Sequence, residues 1–288
     1  MRTGTTQAFE DKRGHTSGGW PTPSPYTGLL DLRGRSAWVL AGSRGLGLAC
    51  ADALHCLGAG VTLIARDEER LEQAARGLVA LREHAHCAWF SCDLSRPSER
   101  ARLQESLLPP DILVANMAGP AFGRAIAQSP RAWQAAFDKL FVSLTELIAG
   151  VYPAMAARQW GRIILVSSAI LRNPNPDLAL SQVVRSALAG YISATSRDFA
   201  RCGVTINSLL AGSFDTERTR RYVENMANSH GTSPEEVRLR LMETIPAARL
   251  GSPAEFGLWC AVLASEAGGF MCGQQIILDG GATTTLCV

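Results

Sequence analysis

A chain of 288 residues has room for one large α/β domain or two smaller ones. With 47% hydrophobic and 19% charged residues it can bury a substantial core, which excludes a disordered, collagenous or coiled-coil chain. Twenty-eight basic against 26 acidic residues leave a net charge of +2 with no basic run. No nucleic-acid partner is therefore expected, and a small-molecule substrate is.

Residues 1–30 are rich in Gly, Thr, Ser and Pro and read as a flexible arm, with Trp20 and Tyr26 as candidate docking points. From Leu32 short apolar runs alternate with long amphipathic segments, the pattern of strand and helix units in a parallel sheet. Strands are expected at 37–42, 61–66, 87–92, 111–116, 162–168, 204–210 and 274–279. Helices are expected at 45–58, 68–83, 97–107, 131–159 and 178–202, with a polar helical excursion at about 213–249. The expected fold is a single doubly wound, seven-stranded parallel Rossmann-type domain over 31–288, carrying that excursion as a helical lid.

Eight cysteines are spread along the chain without a CxxC pair, and the first thirty residues contain no apolar signal core, so a reducing cytoplasm is expected. His84, His86 and Cys87 stand close in sequence, but alternate strand residues face opposite sides and no second ligand group is nearby, so no metal is expected. No stretch reads as long and apolar enough to span a membrane.

The first strand runs into SRGLGLACADAL, a glycine-rich turn that opens a helix. Such a turn lets backbone amides approach a phosphate while the helix N-terminus favours its charge. The second strand ends in Ala65 and Arg66, where an NAD enzyme would offer a carboxylate to the ribose 2′-hydroxyl. A guanidinium there suits a 2′-phosphate, and Arg44 offers a second, so NADP(H) is expected rather than NAD.

These spacings resemble the short-chain dehydrogenase/reductase family. The glycine motif TGxxxGxG of that family appears as Leu40, Ala41, Gly42, Ser43, Arg44, Gly45, Leu46, Gly47, with Ala41 in place of the first glycine. A methyl group is tolerated there if Ala41 keeps negative φ. By the same resemblance Asp93, followed by Leu94, is the adenine-side aspartate, DILVANMAGP retains Asn116, and Ala211, Gly212, Thr216 and Arg218 echo a PGxxxT segment beside the nicotinamide. The segments 251–256 and 273–281 resemble the closing segments of the family. The resemblance also implies a homodimer or homotetramer built through the helices at 131–159 and 178–202.

At the catalytic positions the resemblance breaks down. Aligning GRIILVSSA with the family places its serine at Ser168, but the tyrosine position thirteen residues on is Ser181 and the lysine position is Arg185. The asparagine position on the long helix is Leu140. The only lysines are Lys12 and Lys139, each four residues after an alanine, so no YxxxK motif exists. A serine hydroxyl titrates far above the tyrosine value of about 10 and arginine stays charged, so neither replaces the tyrosine as acid and base. Reduction remains reasonable, with Arg185, Ser168 and Ser181 polarising a carbonyl and water or a substrate group giving the proton. LALSQVVRSALAG and ETIPAARLGS resemble an atypical subgroup with LSN and an Arg at these positions. The expected activity is NADPH-dependent reduction of a ketone on a bulky acyl or polyketide-like substrate. A non-redox isomerase, lyase or cyclase, or a nucleotide-binding pseudoenzyme, stays open.

Overall fold

The computed structural model describes residues 28–81 and 86–284. The arm to residue 27, His84 of the histidine pair, and the last four residues lie outside the described residues. Seven apolar runs form the strands β1 (Ser36–Leu40), β2 (Gly60–Ala65), β3 (Cys87–Ser91), β4 (Ile112–Ala115), β5 (Gly161–Ser168), β6 (Val204–Ala211) and β7 (Gln275–Leu278). They make one sheet in the order β3-β2-β1-β4-β5-β6-β7, with every pair parallel. The order reverses between β1 and β4, which opens a crevice at the carboxyl ends of those strands.

Because the sheet is covered on both faces, its strands are mostly apolar, and several of their polar residues, Arg162 of β5 and Thr205, Asn207 and Ser208 of β6, are themselves buried. Val39, Val61, Leu63, Val114, Ile164 and Leu209 point to one core, with the helices α1 (Gly45–Cys56), α2 (Glu68–Leu81) and α9 (Pro253–Ala264). Trp38, Leu40, Ile64, Leu113, Ile163 and Ile206 point to the other, with α3 (Pro97–Ser106), α5 (Ser143–Ala157) and α6 (Ala179–Arg201). Across that second face the buried Arg100 of α3 donates to the Leu94 carbonyl, 2.9 Å, and to Glu146 of α5, 2.5 Å.

The structure differs from three of these expectations. The single helix read at 131–159 is α4 (Pro130–Phe137), a π-helical turn at Asp138–Val142, and α5. That run, Pro130–Ala157, has the length and a mean hydropathy of 1.5 that a membrane span requires, contrary to the expectation that no such stretch exists. Its apolar side chains Leu144, Leu147, Ile148, Val151 and Met155 are packed into the protein core, so hydrocarbon-like composition here reflects burial against the sheet. The segment 253–264, read only as part of a closing motif, is α9, started by a capping box between Ser252 and Glu255.

The excursion contains α7 (Glu217–His230) and α8 (Pro234–Glu243), ending α7 at Gly231 in the left-handed conformation. Helices α1 and α9 meet backbone to backbone: a Cβ on Gly257 would stand 2.3 Å from the Ala49 carbonyl oxygen.

Candidate active site

The glycine loop between β1 and α1 lies at the switch point of the sheet. Its geometry is set by close contacts that leave no room for side chains. A Cβ on Gly47 would stand 2.3 Å from the Ala41 carbonyl oxygen and 3.0 Å from Asn116 Nδ2, which brings the end of β4 onto the loop. Gly45 has φ +56 and lies 3.8 Å, from its would-be Cβ, from the methyl of Thr216. Helix α1 begins without a side-chain cap and without an acidic residue in its first turn, so its N–H groups are open to an anion.

Ala41 departs from the expected negative φ: it sits at φ +50. A left-handed alanine costs about 1–2 kcal/mol, while glycine gives back part of this through its freer unfolded chain. Ala41→Gly is therefore expected to raise the stability by about 0.5–1 kcal/mol, read as a higher urea midpoint at unchanged slope. The neighbouring Gly42 has the opposite requirement, since a Cβ there would meet the Val39 carbonyl oxygen at 2.8 Å.

Around this loop the charges are unevenly matched. Arg44 Nη1 donates to both carboxylate oxygens of Glu217 at 2.8 Å, and Arg70 reaches the same Glu217 at 3.5 Å. Arg44 thus ties the glycine loop to the first turn of α7 instead of standing open for a phosphate. Arg66 makes no ion pair among the described residues. Asp93 accepts from the Ser95 amide and hydroxyl. Partial burial pushes the Asp93 carboxyl up, but those hydrogen bonds and the charges of Arg66 and Arg96 outweigh it and hold the group below its ordinary value. Lys139, on the π-helical turn, is half-buried, and burial lowers its ammonium with help from Arg66 and Arg218 against Asp93. Gly212 packs on Asp279, its would-be Cβ 2.6 Å from that of Asp279. Leu46 and Leu94 pack against the two cores, and Ser43 is half-buried in the loop.

The second group of residues stands where β5 ends and α6 begins. Arg185 is buried, and its Nε donates to Ser181 Oγ at 3.2 Å while Nη1 donates to the Val166 carbonyl at 2.9 Å. Val166 lies two residues before Ser168 on the same strand, so one guanidinium links the strand that carries Ser168 to the helix turn that carries Ser181. Ser168 Oγ accepts from the Ile170 amide at 3.4 Å. No carboxylate of the described residues pairs with Arg185. Burial, with the Arg218 charge, pulls its pKa down to about 10. A buried cation without a counter-ion is costly to keep, a cost commonly met at functional sites.

Comparison with known proteins decides the family. Residues 40–283 match the family model described as Enoyl-(Acyl carrier protein) reductase. The 2,3-dihydroxy-2,3-dihydro-p-cumate dehydrogenase of Pseudomonas putida is 30% identical over 259 residues, covering 88% of this chain and 96% of that protein. The chain belongs to the short-chain dehydrogenase/reductase family. The crystal structure of YwfH, an NADPH-dependent reductase involved in bacilysin biosynthesis, superposes with a TM-score of 0.83 at 25% identity, covering 88% of this chain and 99% of the other. An NADPH-bound short chain oxidoreductase from Pseudomonas aeruginosa PAO1, described as containing an atypical catalytic center, superposes with a TM-score of 0.80 at 26% identity, covering 89% and 99%.

As a short-chain dehydrogenase/reductase, the chain is one of a family of NAD(P)-dependent oxidoreductases, and its Rossmann-type sheet is that of the solved members. Ser181 and Arg185, which the sequence reading sets at the tyrosine and lysine positions, touch one another. Leu140, at the asparagine position, is buried with Leu180 and Val184 and faces no cleft. Tyr191 packs edge-on against Phe141, at 6.2 Å between ring centres, and burial raises its phenol. Tyr222 on α7 stacks on Phe122 at 6.4 Å. Among the described residues no three His, Cys, Asp or Glu side chains gather as a metal site. Sequence reasoning gave Lys139 no role in the cleft and placed Arg218 only in the segment beside the nicotinamide, without a ligand of its own. The only sequence signal was that Lys139 precedes the position of the missing asparagine and that Arg218 follows Thr216 in the nicotinamide-side segment.

Proposed function

We propose that this protein is an NADPH-dependent reductase that converts a ketone on a bulky acyl or polyketide-like substrate to the alcohol through Ser168, Ser181 and Arg185. The observation that carries the reading is the buried, uncompensated Arg185 guanidinium hydrogen-bonded to Ser181 Oγ at the carboxyl end of β5.

The residues present fit the cofactor. Ala41, Ser43, Leu46 and the α1 N-terminus would hold the pyrophosphate side, Arg66 the 2′-phosphate, joined there by Arg44 only on release from Glu217, Asp93 and Leu94 the adenine, and Asn116, Arg185, Gly212 and Thr216 the nicotinamide side. NADPH, when bound, supplies the hydride that adds to the carbonyl carbon. Ser168 and Ser181 donate hydrogen bonds to the carbonyl oxygen. Arg185 orients Ser181 and stabilises the negative charge that develops on that oxygen, as fixed donors in a dry site do most effectively. The proton that completes the alcohol comes from water. Related proteins support the assignment: both the bacilysin-pathway reductase and the atypical Pseudomonas aeruginosa oxidoreductase are described with NADPH. Helices α7 and α8 would close over the substrate as a lid. A homodimer or homotetramer through the long helices is part of the same reading, and Val142 and Val183 are exposed there.

The test is NADPH titration by fluorescence, followed by single-turnover absorbance at the nicotinamide band with bulky ketones, oxo acids and acyl thioesters. Substrate-dependent loss of the band is expected. Tight NADPH binding with no loss for any member of the panel would instead support a non-redox enzyme or a pseudoenzyme.

A further inference from the structure

Arg218 is one of two cations of the cleft, with Lys139, that the reaction outlined above does not use. It lies in the first turn of α7, and its Nη2 and Nη1 atoms stand 3.2 and 3.3 Å from the point where a Cβ on Gly119 would be. Ser181 Oγ stands 3.6 Å from that same point. The glycine after β4 therefore lets the Arg218 guanidinium and the Ser181 hydroxyl, itself bonded to Arg185, approach one common point. Arg218 makes no hydrogen bond or ion pair with any described residue. The acids closest to it in sequence are already engaged: Glu217 with Arg44 and Arg70, Asp215 with Arg220 at 3.2 Å and with Arg238 at 4.0 Å. One helical turn beyond Arg218, Tyr222 stacks on Phe122, and both rings are partly exposed.

Two guanidiniums thus flank the reacting position with no carboxylate from the described chain to balance them, and an aromatic pair stands beside them. Arginine forms its strongest pairs with planar oxyanions, through two parallel N–H donors. We propose that Arg218 binds a carboxylate of the substrate, so that the substrate is a 2-oxo or 3-oxo carboxylate with an aryl or alkyl tail against Phe122 and Tyr222. The short span across Gly119 sets the carboxylate one or two carbons from the carbonyl held by Ser181. This assignment rests on the reductase reading for its carbonyl, but the carboxylate contact itself is measurable as binding without turnover.

The experiment uses the whole protein saturated with NADPH, with phenylpyruvate and its methyl ester as probes, each titrated through the nicotinamide fluorescence. In the wild type the acid is expected to bind at least tenfold more tightly than the ester. Arg218→Ala is expected to weaken the acid about 30- to 100-fold, with a penalty for the ester at least tenfold smaller and the NADPH dissociation constant within twofold of wild type. Arg218→Lys should restore part of the acid affinity. Equal weakening of acid and ester would overturn the assignment, as would equal wild-type affinity for the two or failure of both to bind. A loss of NADPH affinity as large as that of the acid would overturn it too, by placing Arg218 on a cofactor phosphate. Acid binding that depends on Arg218 while NADPH is not consumed would uphold the carboxylate contact and defeat the reductase reading alone.

Discussion

Arg66→Asp is expected to raise the dissociation constant for NADPH by two to three orders of magnitude while changing that for NADH by less than tenfold. The guanidinium follows the end of β2, is exposed, and has no ion-pair partner among the described residues, so the 2′-phosphate is the anion it would serve. A charge-assisted pair of this kind contributes about 1.5–3 kcal/mol, and placing a carboxylate against a phosphate adds repulsion to that loss. Asp93 sharpens the effect, because its carboxyl is held ionised partly by Arg66 and would then face a second acid. Fluorescence titration with both nucleotides checks it. Equal weakening of NADPH and NADH would show that Arg66 does not contact the 2′-phosphate.

Arg185→Met is expected to lower the single-turnover rate of ketone reduction by about 100- to 1,000-fold, the cost of removing one donor from a developing oxyanion. The fold should hardly notice. Removing the guanidinium strands the Val166 carbonyl, a loss of about 1–3 kcal/mol, but relieves the desolvation of a buried cation that lacks a counter-ion. The two effects oppose, so the urea midpoint should remain near that of the wild type. A variant that unfolds early and yet turns over normally per folded molecule would make Arg185 a structural tether between β5 and α6. A guanidinium pKa of about 10 keeps it charged through neutral pH, so the wild-type rate should not fall between pH 6 and 9 through loss of this proton.

The sheet was legible in the sequence because both its faces are buried, which turns each strand into a short, nearly continuous apolar run such as ILVA or GRIILVSS. Helix α9 was hidden for another reason, since its exposed face carries the apolar Leu258 and Trp259. With Phe256, Gly257, Cys260, Ala261, Leu263 and Ala264 buried and apolar residues on the exposed side as well, PAEFGLWCAVLA has no polar stripe from which a helical period could be read. Its capping box, Ser252 with Glu255, was the available signal. The contact between Ser181 and Arg185 followed from their spacing of four on one helix. Two features of the cleft arise only from the folded arrangement. Arg44 is claimed by Glu217, a residue of α7 far along the chain, and Arg218 enters the space left by Gly119; neither pairing has a local signature. The left-handed Ala41 is a third, because alanine gives no hint of positive φ.

The contact of Gly257 with the Ala49 carbonyl has a consequence for the order in which the molecule is made. Helix α1, whose first turn faces the nucleotide crevice, rests directly on α9, with no side chain between the two backbones to take up slack. On a ribosome the glycine loop emerges roughly two hundred residues before α9, an interval of about 10–40 s at ordinary rates of synthesis. During that time the first half of the sheet lacks the surface against which α1 is seated. The nascent chain should therefore gain its nucleotide affinity late and in one step, and a polypeptide stalled before α9 has left the exit tunnel would carry every residue of the phosphate loop without its working geometry.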